Sequence, residues 1–303
     1  MNRYDVIIVG AGPAGLNAAL VLGRCRYSVL VFDSGEHRNA PSSAMHGFLS
    51  RDGTHPMELL RIGREQLAPY GVELRQALVA TAECKDGGFA LTTSAGETFY
   101  SRKLLLATGI IDVLPEFEGF APLYGKSAFH CPYCDGWENR DKRIIAYAKS
   151  KEAVEFAFNL RSYSEDIVLA TDGVAELDAE QRARLDEFSI ELIESPVVRL
   201  EARGDQLERV IFADGRELER DVLFFHLGQK QRSTLAAELG CEVSHESGAQ
   251  TGERCETNVP GLYIAGDATR DVQQVVVAAA EGAMAAFAIN IALRNENYRL
   301  KPS

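Results

Sequence analysis

Tyr4–Val9 is an apolar, β-branched run of strand length. It leads straight into Gly10-Ala11-Gly12-Pro13-Ala14-Gly15 and then into "LNAALVLGR" at helical spacing. A GxGxxG turn between a strand and a helix leaves few folds open. Gly10 permits the tight turn, Gly12 lets backbone approach a pyrophosphate, and Gly15 allows the helix to pack closely on the strand, with the helix N-terminus attracting the anion. The next strand, Ser28–Phe32, ends at Asp33, roughly twenty residues past the loop, where a carboxylate accepts hydrogen bonds from a ribose. The expected class is therefore α/β, with a doubly wound dinucleotide-binding domain at the start of the chain. FAD and NAD both use such a loop, so the ligand needs a second feature.

The 303 residues suffice for two domains, and 46% hydrophobic with 25% charged residues is ordinary for a globular protein. A net charge of -12 argues against nucleic acid as a partner, since phosphate binding needs a basic face. Arg24, Arg26, Arg38, Arg51, Arg61 and Arg64 are close in sequence and could still form a local basic patch. Apolar runs such as Lys103–Ala107 are far too short to span a bilayer, so no membrane association is expected. "MNRYDVIIVGAG" enters a strand without a cleavable-signal pattern, which makes a cytoplasmic location the expectation. Six cysteines are too few for a disulfide scaffold; Cys25, Cys84, Cys241 and Cys255 are scattered and read as small buried residues.

Near the other end, "VPGLYIAGDA" (259–268) is a short apolar strand ending in Gly266-Asp267, followed by a helix rich in small residues. Asp267 taken alone also fits a turn or a helix cap. With the first loop and "LLLATG" (Leu104–Gly109), the chain resembles the two-domain flavoprotein disulfide reductases. The resemblance implies two Rossmann-like domains of the two-dinucleotide-binding type. A discontinuous FAD domain would span 1–113 plus 229–303, and a central NAD(P)H-type domain 114–228. The first loop would take the ADP half of FAD, and Gly266-Asp267 the flavin-side phosphate and ribitol. The FAD contacts so implied are Gly10, Gly12, Pro13, Ala14, Gly15, Asp33, Ser34, His46, Val79, Ala107, Thr108, Gly109, Gly266, Asp267, Gln274 and Val275. The hairpin-rich stretch Val72–Arg102, with turns at Asp86-Gly87-Gly88 and Ala95-Gly96, reads as a small antiparallel layer on that domain.

"FHCPYCDGWEN" (129–139) holds the one cysteine pattern, Cys131 and Cys134. Structural zinc generally needs four ligands, and one CxxC supplies two, although His130 and His46 could be recruited. A structural disulfide is disfavoured in a reducing compartment. The remaining reading is a redox pair, whose sulfurs close and open a small ring. CxxCDG inside the central domain closely resembles the low-molecular-weight thioredoxin reductases. It implies that Cys134 faces the flavin, that Cys131 exchanges with the outside disulfide, and that Asp135 moves the proton; an Asp-Gly turn is the plainer alternative for Asp135. "HGFLSRDG" (46–53) resembles a branch that also includes small-molecule dithiol oxidases. His37 and His46 are expected near the flavin side; turn or core roles fit His46 and His130 equally.

The central domain departs from the family. The family's GxGxxA phosphate loop aligns with "AKSKEA", so Ala148 and Ser150 stand where glycines belong, and only Ala153 survives. The basic clamp for a 2′-phosphate is replaced by Thr171, Asp172 and Gly173. Cβ atoms would obstruct the pyrophosphate, and Asp172 would repel a 2′-phosphate. Lys149 and Lys151 could still attract phosphate as point charges, and Asp172 could accept a ribose of NADH. Ordinary NADPH use is doubtful. The expected function is an FAD-dependent thiol-disulfide oxidoreductase passing electrons through Cys131–Cys134 to a thioredoxin-like protein or a small disulfide, from a donor such as a ferredoxin-like protein. A dithiol oxidase using oxygen and a conventional NADPH reductase are the alternatives. A homodimer is implied by the resemblance alone.

Overall fold

The computed structural model describes residues 3–149, 152–175, 177–244, 248–269 and 272–300. It divides into two units: Met1–Ala40, Thr54–Ile111 and Lys230–Ser303 form the first, and Pro41–Gly53 with Asp112–Gln229 the second. The segment Pro41–Gly53 was expected with the first domain and groups with the second. The cause is local: a side chain on Gly125, whose φ is +78°, would place a Cβ 2.5 Å from the Pro41 carbonyl oxygen, so the two backbones touch. His46 also lies 3.6 Å from Glu138.

In the first unit, β1 (Arg3–Val9), α1 (Pro13–Arg24) and β2 (Val29–Asp33) form the first βαβ turn, followed by α2 (Pro56–Leu67). Then come β3 (Glu73–Gln76), β4 (Val79–Lys85), β5 (Gly88–Thr93) and β6 (Thr98–Leu106), with β7 (Ile110–Asp112) at the crossing into the second unit. The seven-stranded sheet runs β3-β2-β1-β6-β5-β4, with a further strand on β6. β4 and β5 were expected as a separate antiparallel layer. They instead continue the main sheet, because the nine-residue β6 serves two partners on its edge away from β1: Thr98–Ser101 pair with β5, and Leu104–Leu106 pair with the late strand.

In the second unit, β8 (Ala128–Phe129), α3 (Pro132–Asp135), β9 (Ile144–Ala148), α4 (Ala153–Arg161), β10 (Ile167–Ala170), α5 (Ala179–Glu187) and β11 (Glu191–Ile193) follow in order. A three-stranded meander of β12 (Val197–Arg203), β13 (Gln206–Phe212) and β14 (Glu217–Glu219) precedes β15 (Val222–His226). The parallel sheet runs β11-β10-β9-β15-β8. Every residue of β9 and β10 is buried, as a parallel strand covered on both faces requires.

After β16 (Gln229–Gln231), the first unit resumes with α6 (Leu235–Glu238), β17 (Val243–Ser244), β18 (Gly248–Ala249), β19 (Leu262–Ile264) and α7 (Val275–Tyr298). By length and composition α7 is apolar enough to cross a membrane, contrary to the expectation that no run is long enough. Its small residues let it lie close on α1. A Cβ on Gly282 would fall 2.0 Å from the Ala14 carbonyl, and Asn17 Nδ2 donates to the Ala279 carbonyl at 2.6 Å. Glu281, Ala285, Ala286, Ile289 and Leu293 of this helix are buried. The cysteine expectation needs correction too. Cys241 and Cys255 are buried, but Cys25 and Cys84 are exposed, the first capping the C-terminus of α1 and the second on β4, the edge strand of its sheet.

Gly282→Val should therefore destabilise the first unit by about 1–3 kcal/mol through overpacking. A lowered thermal midpoint checks this; an unchanged midpoint would mean that α7 can move off α1.

Candidate functional site

The register of the first sheet places Phe32, Val9, Leu106 and Ile264 side by side in one row. The residues that follow each strand therefore emerge together at the C-terminal edge, where ligands of open α/β sheets bind. They are Gly10, Asp33, Ala107-Thr108-Gly109 and Gly266-Asp267, so the sheet gathers the expected motifs from four distant stretches. Ala107 N donates to the Val9 carbonyl at 2.8 Å, and Gly10 N to the Phe32 carbonyl at 2.8 Å.

The three loop glycines serve different ends. Gly10 has φ +108°, and a Cβ there would sit 2.2 Å from the Ala107 carbonyl; a Cβ on Gly15 would sit 1.9 Å from the Gly10 carbonyl. These two close the backbone onto itself. A Cβ on Gly12 would meet nothing within 4 Å. Gly12 faces open space and caps α1 without a side-chain hydrogen bond, with Pro13 next and Ala14 buried. An open cradle over the first turn of a helix fits a dinucleotide pyrophosphate. The residues present therefore fit FAD.

Three residues missed by the sequence reading complete this edge. Arg38 Nη1 donates to Asp267 Oδ2 at 2.9 Å, so Asp267 is paired with a cation. Arg64 pairs with Asp33, and His37 Nε2 lies 3.6 Å from the same carboxylate. His37, expected near the flavin end, thus lies beside Asp33, and its burial lowers its pKa. Glu281 is buried and accepts from Gly266 N at 2.8 Å and from the Thr269 hydroxyl at 3.3 Å. It holds the Gly266 turn, whose φ is +84°, onto α7. An acid within the small-residue stretch of its helix was its one sequence signal; for Arg38 and Arg64 the local arginine density was a faint one. Ser34 is exposed at the end of β2, and Val79 is buried among core residues that include Val9 and Phe32. Gln274 and Val275 open α7, with Gln274 at its N-cap.

The second unit carries the cysteines. Cys131 and Cys134 are bonded through sulfur, Pro132 starts α3, and Cys131 Sγ accepts from Cys134 N at 3.1 Å. Burial, and then the charge of Glu138, push the Asp135 carboxyl up to about 7, with His46 opposing. His46 lies 3.6 Å from Glu138 and 3.4 Å from Asp52, so it belongs with the cysteine unit rather than with the glycine loop. His130 lies 3.5 Å from the Tyr124 hydroxyl. Gly136 is right-handed helical, so it supplies no positive-φ turn. It is small because a Cβ would meet the Pro132 carbonyl at 2.4 Å and the Tyr163 ring at 2.7 Å. Asn139, which the sequence reading passed over, is buried and donates to the Asp135 carbonyl at 2.7 Å.

At the tips of β9 and β10, Ala148 is the last, buried residue of its strand. Ser150 and Lys151 lie outside the described residues. Lys149 Nζ contacts Asp172 Oδ2 at 2.5 Å, and Asp172 Oδ1 accepts from Val197 N at 2.9 Å. The cation and the anion of the expected nucleotide edge therefore neutralise each other.

A mixed-sheet unit with an open glycine cradle, and a parallel-sheet unit that carries a CxxC disulfide beside a high-pKa acid, define a two-domain flavoprotein of disulfide chemistry. A family model described as pyridine nucleotide-disulphide oxidoreductase matches residues 4–282, and the chain belongs to that family. It is 31% identical to the thioredoxin reductase sirT of Leptosphaeria maculans over 313 residues, covering 95% of this chain and 93% of that protein. The crystal structure of a putative thioredoxin reductase TrxB from Bacillus anthracis superposes with a TM-score of 0.92 at 32% identity, covering 97% and 99% of the two chains. An atypical thioredoxin reductase, TRi from Desulfovibrio vulgaris Hildenborough, is similar at 30% identity, with a TM-score of 0.53 and coverage of 98% and 99%. The chain thus has the low-molecular-weight thioredoxin reductase-like fold and is an FAD disulfide oxidoreductase.

The glycine geometry separates folding from flavin binding. Gly12→Val should leave the apoprotein melting temperature nearly unchanged and abolish most flavin binding. Gly10→Ala should lower the melting temperature itself. Absorbance of flavin released by acid, with a melting curve for each variant, checks both; full FAD content in Gly12→Val would mean that the cradle is not the pyrophosphate site.

Proposed function

We propose that this enzyme moves electron pairs between a donor other than NADPH and an external disulfide, through Cys131–Cys134. The redox chemistry rests on one observation above all, the Cys131–Cys134 disulfide with the Asp135 carboxyl adjoining Cys134; burial pushes that carboxyl up to about 7. Bound FAD would supply the two-electron exchange with the disulfide. Opening a disulfide to two thiols takes up two electrons and two protons, so the site needs an acid that is still protonated near neutrality. Asp135 is that acid. A carboxyl at its ordinary pKa would be almost wholly ionised there. Cys131 would exchange with the partner, a thioredoxin-like protein or a small disulfide, and Cys134 would face the flavin; the resemblance to the thioredoxin reductases supports this order.

The donor reading rests on the tips of β9 and β10. Where a 2′-phosphate needs cations, Asp172 is anionic: burial alone would raise its pKa, but Lys149 and the Val197 N–H hold it below the ordinary value. A ferredoxin-like protein is the proposed donor class. A second copy of the chain is the proposed assembly, with the exposed Met284 and Phe287 of α7 as apolar surface available for it.

A second reading is dithiol oxidation, with two electrons passing from a substrate dithiol to oxygen to give a disulfide and hydrogen peroxide. It is favoured by the segment Pro41–Gly53, which carries "HGFLSRDG" and groups with the cysteine unit, placing His46 against Glu138. Oxygen consumption with small dithiols, against thioredoxin reduction under an artificial electron donor, decides the direction.

In anaerobic titration, micromolar NADPH should leave the flavin oxidised while dithionite bleaches it; rapid bleaching by NADPH would restore the conventional reductase. The protonated fraction of Asp135 falls as pH rises through about 7, so the rate of disulfide reduction should fall with it. Asp135→Asn should lose about 10²–10⁴-fold of that rate. Glu138→Gln removes a neighbouring anion, so the falling limb of the profile should move to lower pH. A limb that stays in place would detach Asp135 from the proton transfer.

A further inference from the structure

The second sheet ends in the row Ile193, Ala170, Tyr147 and Phe225. Lys149 follows β9 by one residue, and Asp172 follows β10 by two. In a doubly wound domain the first position faces the pyrophosphate and the second the adenosine ribose. Here a single contact spans both, Nζ to Oδ2 at 2.5 Å. The anion is fixed from two sides, since its other oxygen takes the Val197 N–H at 2.9 Å, and its backbone is left-handed with φ 55°. The loop around it is pinned as well: the Thr171 hydroxyl donates to the Gly173 carbonyl at 2.8 Å, and Ala175 N donates to Glu194 Oε1 at 3.1 Å. Lys149 lies over the ring of the buried Tyr147, 5.6 Å from its centroid.

We propose that the Lys149–Asp172 ion pair is an internal latch that occupies the dinucleotide edge of the second unit, and that Asp172 is the residue that determines nucleotide exclusion. The inference deepens the donor proposal and rests on it. Loss of loop glycines makes phosphate approach harder, but it leaves a cation at the site. The latch removes that cation by giving it a fixed partner. It also commits one carboxylate oxygen to the lysine and the other to the Val197 N–H. The electrostatics agree: the hydrogen bond to Asp172 raises the Lys149 pKa above its ordinary value.

The decisive variant is Asp172→Asn. Asparagine tolerates the left-handed backbone and keeps an acceptor for Val197 N–H, so it removes the charge with little else. Titration calorimetry of the FAD-loaded enzyme with NADPH should show binding about tenfold or more tighter than in the wild type, the scale of one freed charged contact. Adding Lys149→Ala should reverse the gain. If the asparagine variant melts early, Asp172→Gly provides the same test, since glycine accepts this φ without strain. Unchanged NADPH affinity on removing the charge would overturn the latch. So would an NADH affinity present in the wild type and lost in Asp172→Asn, which would make Asp172 a ribose ligand. Bleaching of the wild-type flavin by micromolar NADPH, alongside tighter binding in the variant, would sink the donor proposal and leave the latch standing.

Discussion

The first unit depends on backbone lying directly on backbone around the start of α1. Gly10 touches the Ala107 carbonyl, Gly15 touches the Gly10 carbonyl, and Gly282 of α7 touches the Ala14 carbonyl. Each contact is closer than any Cβ would permit. Together they bring the end of β1, the end of β6 and the middle of α7 to a single helix N-terminus. The buried Glu281 then ties the Gly266 turn to the same point. The cradle is thus shaped by missing atoms, and of the three glycines in the first loop Gly12 is the one with open space above it.

The two units repeat one architecture with opposite outcomes at the sheet edge. In the first, the acid after β2 pairs with Arg64, which comes from α2, and the helix N-terminus stays open above Gly12. In the second, the acid after β10 takes the lysine that follows β9, so the groups that would meet a nucleotide meet each other. The fold tolerates both, because the strands are held by burial and the loops at their ends add little to that.

The glycine loop, Asp33, Gly266-Asp267 and the CxxCDG run were legible because each is a local pattern whose spacing carries its geometry. The partners were not. Arg38 reaches Asp267 across 229 residues of sequence, and Glu281 reaches Gly266 from within a helix. Such contacts follow from which strands neighbour each other, and spacing does not encode that. The grouping of Pro41–Gly53 with the cysteine unit escaped for the same reason, since it turns on a close approach between Pro41 and Gly125. An Asp-Gly turn was the alternative weighed for Asp135, whereas the smallness of Gly136 answers to the ring of Tyr163, 27 positions on. The exposure of Cys25 and Cys84 shows the limit of residue-type averages, because burial there is decided by a helix end and by the edge of a sheet.

Trp137 is the one tryptophan in the chain, stands exposed three positions after Cys134, and packs its ring against the Arg140 guanidinium at 4.4 Å. Tryptophan emission responds to the polarity around the indole and is quenched by a nearby disulfide. With no second indole to dilute the signal, the intrinsic fluorescence of this protein should report on the neighbourhood of its cysteine pair. The oxidation state of the pair can then be followed at wavelengths where the flavin itself is not being observed.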